Sequence, residues 1–320
     1  SGGASGAVVP TTSDDVIFDA NSITSDFQTV VINVLGDCKT LDMTGVIPQL
    51  NISFASAYLT VYGDVDIPAN VSGTPTSENN GLYIKNGATI SILSTALNIR
   101  IGTSGTVGLG TDLIGVKGIG FFSSGPAPNN VAVLNTNNYN ITAGYIYYCF
   151  TNTATFNAGS SQILLTGTNT LPTNGGTSYV LATQYANWGT STITINREGY
   201  INSGFFGDAA SKIFNDITIL DTNGSNSVVF QSAGYTFDNL EIDGGQVYFE
   251  TSKTFTVNNT ITLTGISGDL VTIRSYNTST LQFTGQVTLS AAVVDVTYTS
   301  VQGFIAAGVA SPFTDYNGFD

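Results

Sequence analysis

The chain has no histidine among its 320 residues. This absence excludes Ser-His-Asp and Cys-His catalysis, histidine metal sites and the most frequent general base. Charged residues are also scarce, at 9% of the chain against about 25% in an average globular protein. The eight basic residues are scattered singly. Because no basic stripe is present to neutralise phosphates, we do not expect nucleic-acid binding.

Cysteine and long apolar runs are also rare. Only Cys38 and Cys149 are present, so the fold does not depend on a disulfide framework. The sequence leaves open whether these two residues bond or are both free. No apolar run reaches the ~18 residues of a transmembrane helix, and we expect no membrane insertion. Residues 1–6 are small and polar rather than a signal peptide, which is consistent with a mature or trimmed product.

Apolar residues, by contrast, make up 42% of the chain, so it can fold around a large core. Thr, Ser, Asn and Gly take the place of charged residues at the surface, as is typical of turns and of the solvent side of a sheet. The net charge of −14 favours solubility and would suit divalent cations.

Alternation of apolar and polar residues dominates the chain and predicts short β-strands. The clearest alternating runs are residues 29–34, 59–62, 97–101, 192–195, 217–219, 240–242 and 260–263. No stretch has convincing helical periodicity. The sequence therefore predicts an all-β protein with very little helix.

A longer repeat is superimposed on these strands. Residues 214–219 are echoed by residues 237–242, and Leu59 is followed at a similar interval by Leu82. The same interval leads from Leu240 to Ile261 and on to Leu281, so equivalent positions lie 20–23 residues apart. Such a repeat predicts a parallel β-helix, or β-solenoid, in which each repeat forms one coil.

β-Sandwich or jelly-roll domains also have short strands and frequent turns. The repeat is clearest in residues 192–300, so a less regular or sandwich-like N-terminal part stays open. We place a boundary at the loop of residues 123–130, which divides the chain into residues 1–125 and 126–320. Glycine alternates with apolar residues at 105–110 and 114–122. This pattern indicates either close packing within the chain or a contact surface for a neighbouring subunit.

Several segments resemble a known family. Residues 10–22 follow a glycine-rich spacer and precede the strand at 28–34 and a Cys-Lys-x-x-Asp-x-Thr-Gly-Val element at 38–46. Together with the repeat at 237–247, they resemble repetitive β-helix surface proteins of Bacteroidetes-type bacteria and phage structural (fibre or decoration) proteins. The resemblance is strong over residues 1–46 and weaker over 192–300. It implies a secreted or virion-borne right-handed β-helix with a structural or adhesive role, and it assigns no catalytic residue.

Carboxylate pairs are the remaining candidates for catalysis. Glycoside hydrolysis needs two acids on one face, and the candidates are Asp64 with Asp66, Asp216 with Glu241, and Glu241 with Asp243. Asp64 and Asp66 are two residues apart, so on a strand both point to the same side. The alternative is that all of these are solvated surface acids.

Acids in turns are also candidate calcium ligands. Asp14, Asp15 and Asp19 form one group, and Asp243 before a Gly-Gly pair marks another. Neither group has EF-hand spacing. The alternative is that these side chains cap turns. Apart from Ca²⁺ we expect no cofactor.

Tyrosines cluster at Tyr139, Tyr145, Tyr147 and Tyr148. If exposed, Tyr145, Tyr147 and Tyr148 would contact a glycan or a protein partner. If buried, they belong to the core.

These patterns favour a non-enzymatic structural or adhesive β-solenoid, displayed on a phage virion or a bacterial surface and therefore extracellular. Its expected partners are other copies of itself, neighbouring structural proteins and surface glycan. Two alternatives stay open. One is a polysaccharide-degrading phage tailspike that uses paired carboxylates, and the other is a self-assembling extracellular filament or surface-layer subunit.

Overall fold

The structure is a computed structural model. It describes residues 9–55, 57–75, 80–85, 87–93, 95–102, 105–122, 132–149, 154–166, 170–171, 176–177, 186–196, 199–202, 212–220, 227–231, 235–244, 246–250, 254–264, 271–276, 287–297, 299–302 and 304–306. For some strand residues only the backbone is described. The chain divides into two compact units, Ser1–Ser161 (unit 1) and Gln162–Asp320 (unit 2).

Unit 1 is built from short strands. In chain order they are β1 (Asp15–Ile17), β2 (Gln28–Ile32), β3 (Gly36–Cys38), β4 (Thr40–Asp42), β5 (Leu50–Phe54), β6 (Tyr58–Val61), β7 (Val65–Ile67), β8 (Val71–Pro75), β9 (Gly81–Ile84), β10 (Thr89–Ile92), β11 (Asn98–Ile101), β12 (Gly105–Leu109), β13 (Leu113–Val116), β14 (Gly118–Phe122), β15 (Ala132–Asn135), β16 (Ile141–Ala143), β17 (Ile146–Cys149) and β18 (Ala154–Asn157).

Unit 2 begins with short strands and continues with longer ones. They are β19 (Gln162–Leu165), β20 (Thr170–Leu171), β21 (Gly176–Thr177), β22 (Ala186–Asn187), β23 (Thr192–Asn196), β24 (Gly199–Asn202), β25 (Lys212–Leu220), β26 (Ser227–Gln231), β27 (Tyr235–Asp243), β28 (Gln246–Glu250), β29 (Thr254–Thr264), β30 (Val271–Tyr276), β31 (Val287–Thr297), β32 (Thr299–Gln302) and β33 (Phe304–Ala306).

Each coil of unit 1 places strands in three sheets. The first sheet has the order β1-β4-β7-β10-β12-β15-β18 and the third the order β17-β14-β11-β9-β6-β3. The second consists of β2-β5-β8, an isolated bridge between Ser72 and Thr95, and β13-β16. The ladders are parallel, as in the pairing of β1 with β4 and of β3 with β6. Consecutive strands thus visit the three sheets in turn, and the chain winds as a solenoid.

The alternation seen in the sequence sets which side chains form the core. In β5 the pattern is strict: Leu50, Ile52 and Phe54 are buried, and the residues between them are half-buried. In-register pairing continues each buried position into the next coil, as Val61 pairs with Ile84. Burying each such side chain contributes roughly 1.5–3 kcal/mol. The core is therefore a set of aliphatic columns that run from coil to coil.

Tight turns form the corner between the first and second sheets in the later coils of unit 1. The Tyr139 N–H donates to the Thr136 carbonyl at 3.0 Å, and the Ser161 N–H donates to the Ala158 carbonyl at 3.1 Å. Asn138 at the first turn has φ 67°, a left-handed conformation that asparagine tolerates better than most residues. The Thr136 hydroxyl donates to the Ala158 carbonyl at 2.8 Å, so successive corners are hydrogen-bonded to each other.

Unit 2 has a simpler coil. Its parallel sheets have the orders β19-β23-β25-β27-β29-β31-β33 and β24-β26-β28-β30-β32, and β20 and β21 form a short antiparallel pair. A corner turn precedes β23, where the Ser191 N–H donates to the Trp188 carbonyl. From β25 onward a single strand of nine or eleven residues runs through the position of that corner. Most described coils of unit 2 therefore pair one long strand of nine or eleven residues with one short strand of four to six.

Aromatic columns fill unit 2. Trp188, Phe214 and Phe237 follow one another with ring centroids 5.2 and 5.9 Å apart, and Phe230 stacks on Phe249 at 4.9 Å. Neighbouring strands are ~4.8 Å apart, so in-register aromatic residues fall at a favourable stacking distance.

The predicted all-β parallel solenoid is confirmed, and no residue that the structure describes lies in a helix. The pairings of Leu59 with Leu82 and of Leu240 with Ile261 are confirmed as well. The step from Ile261 to Leu281 is wrong, since Ile261 pairs with Val294. Extra chain between β29 and β31 lengthens that coil.

The sandwich-like alternative for the N-terminal part is also wrong, because the three-sheet solenoid starts at β1. Coil length varies more than predicted: hydrogen bonds between adjacent coils join residues 22 apart at Asn157 and 28 apart at Asn140. The predicted boundary loop, residues 123–130, lies outside the described residues and stays a prediction. No helix in the described part of the chain is long and apolar enough to cross a membrane.

The two cysteines lie at opposite edges of the third sheet. Cys38 ends β3 and Cys149 ends β17, with four strands between these two. At ~4.8 Å per strand their Cα atoms are roughly 24 Å apart, whereas a disulfide needs less than ~7 Å. Cys38 is accordingly free and buried, and an intramolecular bond between the two is excluded.

Candidate functional site

Asp64 and Asp66 lie on the outer side of the first sheet, flanking the buried Val65 as the alternation predicts. Oδ1 of Asp64 accepts a hydrogen bond from the backbone N–H of Thr89, one coil further on, at 2.7 Å. Asp66 is the in-register neighbour of Asp42. The Asp64 carboxylate thus ties two coils together.

The same contact recurs at other corners of unit 1. Asp26 Oδ1 accepts from the Gln49 N–H at 2.8 Å, and Asp112 Oδ1 accepts from the Asn140 N–H at 2.7 Å. Backbone N–H groups at corners have no partner within a sheet, and a carboxylate from the preceding coil satisfies them. These acids have a structural role that the sequence did not reveal.

The acids of unit 2 lie on an outer sheet face. Asp216 pairs in register with Asn239, and Thr218 with Glu241, so Asp216 and Glu241 are on adjacent strands but offset by two residues. The Asn239 amide donates to Asp216 Oδ1 at 2.7 Å, and the Thr218 hydroxyl donates to Glu241 Oε2 at 3.1 Å. Asp243 and Glu241 are both exposed beside the buried Ile242. Asp216 and Glu241 thus each hydrogen-bond to a neutral residue of the adjacent strand.

Two of the candidate calcium ligands, Asp14 and Asp15, accept hydrogen bonds from other groups of the chain. The side-chain hydrogen bond from Thr11 lowers the pKa of Asp14, and Oδ2 of Asp14 also accepts from the Thr11 N–H. The hydroxyl of Thr40 lowers the pKa of Asp15, and Lys39 forms an ion pair with Asp15 at 3.3 Å. Asp15 therefore faces a cation of the chain itself.

Asp19 caps its own turn. The Ser22 hydroxyl and the Asn21 N–H donate to its Oδ1, and the bond from Ser22 is the main cause of its lowered pKa. Within the described part of the chain, no group of three acidic or cysteine side chains could hold a metal ion. Calcium binding stays a prediction to which this geometry adds no support.

Tyr145 belongs to the interior. Its side chain is 1% exposed, its hydroxyl donates to Asn98 Oδ1 at 3.0 Å, and its ring covers Gly118 so closely that a Cβ there would overlap it. Tyr147 and Tyr148 pair in register with Gly120 and Phe121, and their side chains lie outside the description. Tyr145 is therefore a core residue, and the other two stay predictions.

Three glycines of the glycine-alternating segments pack against side chains of this chain. A Cβ on Gly108 would lie 2.9 Å from the Asn137 amide nitrogen, and one on Gly110 would lie 2.6 Å from Ser91 Oγ. With Gly118 beneath Tyr145, these glycines make room for side chains of neighbouring coils. At these three positions the structure supports the interpretation that glycine allows close packing within the chain.

A different set of side chains forms the best candidate for a binding surface. We define the tyrosine face as the outer side of the third sheet of unit 1, comprising Tyr58, Tyr62, Tyr83, Lys85 and Arg100. Strand alternation places them there, because Val61, Ile84 and Ile101 point into the core. Register places them together, because Thr60 pairs with Tyr83 and Tyr83 with Arg100.

The rings and the lysine of the tyrosine face are in direct contact. Tyr58 meets Tyr83 edge-on, with centroids 5.8 Å apart. Lys85 Nζ lies 4.8 Å from the Tyr83 ring centroid and 5.2 Å from that of Tyr62, within cation–π range. Gly102 permits this arrangement, since a Cβ there would lie 2.7 Å from Tyr83 and 2.8 Å from the Lys85 stem. The Lys85 ammonium is thus held between two aromatic rings.

Sequence reasoning missed this face although its signal was present. Tyr58 and Tyr62 share the polar side of one alternating run, and Tyr83 and Lys85 share that of another. The spacing from Leu59 to Leu82 fixes the register between the two runs. Applying that register to the polar positions would have placed Lys85 beside Tyr62.

Comparison with family models, with curated proteins and with solved structures gives no match.

Proposed function

We propose that this chain is a non-enzymatic structural and adhesive β-solenoid, displayed outside a phage particle or a bacterial cell. The observation that carries the proposal is the use of its acids. Asp26, Asp64 and Asp112 each cap a backbone N–H of the next coil. Carboxylates used in this way stabilise the stack of coils, as expected of a protein whose role is mechanical.

Surface shaving tests the location. Intact particles or cells of the source are treated briefly with a protease, and the released peptides are identified by mass spectrometry. We expect peptides of this chain in the released fraction, while a cytoplasmic marker stays protected. Detection of the chain only after lysis would contradict the proposal.

A polysaccharide assay tests the absence of catalysis. Purified protein is incubated with host capsule or exopolysaccharide, and reducing ends are counted. We expect no increase over buffer. An increase that is lost in Asp64→Asn or Glu241→Gln would favour the tailspike alternative instead.

Exposed apolar side chains in the first coils favour contact with further structural subunits. Among the described strands, β1, β2 and β3 are each the last in the order of their sheet. Large apolar side chains are exposed here, namely Val9, Ile17, Phe27, Val31, Val34, Leu35 and Ile47. A cluster of exposed apolar side chains of this size marks an association surface. Self-assembly into a filament or layer is therefore the second candidate function.

Mass photometry tests self-assembly. We expect oligomers at micromolar concentration and a shift to monomer when Phe27→Ser and Ile47→Thr are combined. Leu93→Thr, at a 40% exposed position outside the first coils, is the matched control and should leave assembly unchanged. A strictly monomeric wild-type chain would contradict this second function.

A further inference from the structure

The ammonium of Lys85 keeps its positive charge available. Two rings contact it, but a ring face attracts a cation without neutralising it. Among the residues that the structure describes, no carboxylate forms an ion pair with Lys85, whereas Lys39 is paired with Asp15. Within the described part of the chain, Lys85 is therefore held between two rings and has no carboxylate as an ion-pair partner.

The contacts of Lys85 also reduce the cost of binding a ligand. A free lysine side chain loses about 1.5–2 kcal/mol of conformational entropy when it is fixed. Here the Tyr62 and Tyr83 rings already restrict the ammonium, and the stem packs over Gly102. Such prior ordering favours affinity and specificity.

The tyrosine face differs in charge from the chain as a whole. The net charge is −14, yet on this face Lys85 directly follows β9, and Arg100, which is buried, lies on the neighbouring strand β11. Lys85 and the three tyrosines are half-buried, so parts of these side chains are accessible to solvent. Phenol rings and hydroxyls are suited to the apolar and polar sides of a sugar.

We infer that the tyrosine face binds an anionic polysaccharide. Lys85 contacts the carboxylate or sulfate of the polymer, and Tyr58, Tyr62 and Tyr83 contact its sugar rings and hydroxyls. This inference rests on the proposed adhesive role and names the ligand class for it. The charge of Lys85 favours an anionic over a neutral polymer at this face, while the acidic surface elsewhere repels the polymer and so confines it to this face.

Biolayer interferometry with two immobilised polymers tests the inference. Polygalacturonate is the anionic probe and dextran the neutral one, both at low ionic strength. We expect binding to polygalacturonate that weakens as salt is added, and no binding to dextran. Lys85→Gln should weaken binding about tenfold, as expected for the loss of one charged contact.

Two further variants make the result specific. Lys212→Gln, on β25 of unit 2, changes the net charge equally and should alter affinity less than twofold. Lys85→Arg keeps the charge and should retain most of the affinity. Unfolding midpoints of the three variants show whether each is folded.

The inference would be overturned if the chain did not bind polygalacturonate or bound dextran equally well. It would also be overturned if Lys85→Gln and Lys212→Gln lowered the affinity for polygalacturonate by the same factor. The location measured by surface shaving is independent of these results. If the chain is displayed at the surface but does not bind polygalacturonate, the proposed ligand class is wrong and the proposed structural function is unaffected.

Discussion

Units 1 and 2 wind the same parallel coil around differently built cores. Unit 1 uses three short strands per coil, with turns at its corners and columns of Val, Ile and Leu inside. Unit 2 uses one long and one short strand in most of its described coils and stacks Phe214 and Phe230 with other aromatic residues inside. Coil geometry and core composition thus change together.

The change begins where a corner turn disappears. Ile193 follows the turn at Trp188, whereas its partner Ile217 lies within the continuous strand β25. The ladder between β27 and β29 is irregular between Phe237 and Leu240, at the same place along the coil. Facing sheets pack ~10 Å apart. An aromatic side chain on one sheet fills more of this distance than a short aliphatic side chain does. Loss of one corner turn thus coincides with a change from mainly aliphatic to mainly aromatic columns in the core.

The largest expected effect is in the aromatic columns. Phe237→Ala removes a ring that contacts Phe214 and Phe230 and is fully buried. We expect a loss of about 3–5 kcal/mol in the free energy of unfolding of unit 2. Urea denaturation followed by hydrogen exchange would report each unit separately. Ile99→Ala, at a 1% exposed position of unit 1, is the matched control. A loss of less than about 1 kcal/mol in unit 2 would contradict a stabilising role for this aromatic column.

A smaller effect is expected at the corner turns that distinguish unit 1. Asn138 adopts φ 67°, and its Oδ1 accepts from the Ser160 N–H at 2.9 Å. Asn138→Ala loses that bond and places alanine in a left-handed conformation, which together cost about 1–3 kcal/mol.

Asn138→Gly separates the two contributions, because glycine tolerates the backbone angle and lacks the side chain. It should destabilise unit 1 by about 1–2 kcal/mol, through loss of the hydrogen bond and the greater backbone freedom of glycine in the unfolded chain. Asn187→Ala, at an exposed position of unit 2, should be neutral. Thermal unfolding would check these values, and a neutral Asn138→Ala would show that the corner does not stabilise unit 1.

Much of this contrast could be predicted from the sequence, but not all of it. Alternation and the recurrence of Leu59 at Leu82 are local signals, and they gave the strands, the parallel pairing and the inward positions. Loop length is not encoded in such signals, so the partner of Ile261 was placed at Leu281 although it is Val294. The coil repeat of unit 1 is hard to recognise in the sequence because turns of different length interrupt its coils.

The candidate sites were harder to predict, for a related reason. A carboxylate that caps the next coil, such as Asp64, looks in sequence like any solvated acid. Its role depends on which N–H group the next coil brings to it. Tyr145 likewise could be assigned to the core only from its fold neighbours, since its ring covers Gly118 and its hydroxyl donates to Asn98.

A modest pH effect is expected in the first coil of unit 1. Hydrogen bonds, chiefly from Thr11, Thr40 and Ser22 respectively, lower the pKa of Asp14, Asp15 and Asp19 in the folded chain. A lowered pKa stabilises the fold above the unfolded value of ~3.9, and this contribution is lost as the pH falls through the folded value.

Hydrogen exchange of β1 and β4 at pH 5 and pH 3 would measure this pH effect. We expect faster exchange at pH 3, after correction for the intrinsic rate, and a smaller difference in Asp15→Asn. Unit 2, compared at Ile217 and Ile242, serves as the internal reference. A pH difference in β1 that is unchanged by Asp15→Asn would assign it to other groups.

The smallest expected signal comes from the thiol of Cys38, which can report on unit 1 alone. Burial raises its pKa to about 11, with smaller contributions from Asp37 and Asp15. At pH 8 only about one thiol in a thousand would be the reactive thiolate, and the side chain is fully buried. In a Cys149→Ser chain we expect no reaction with a disulfide reagent until urea unfolds unit 1. Reaction of Cys38 at pH 8 in the absence of urea would contradict the burial of this thiol.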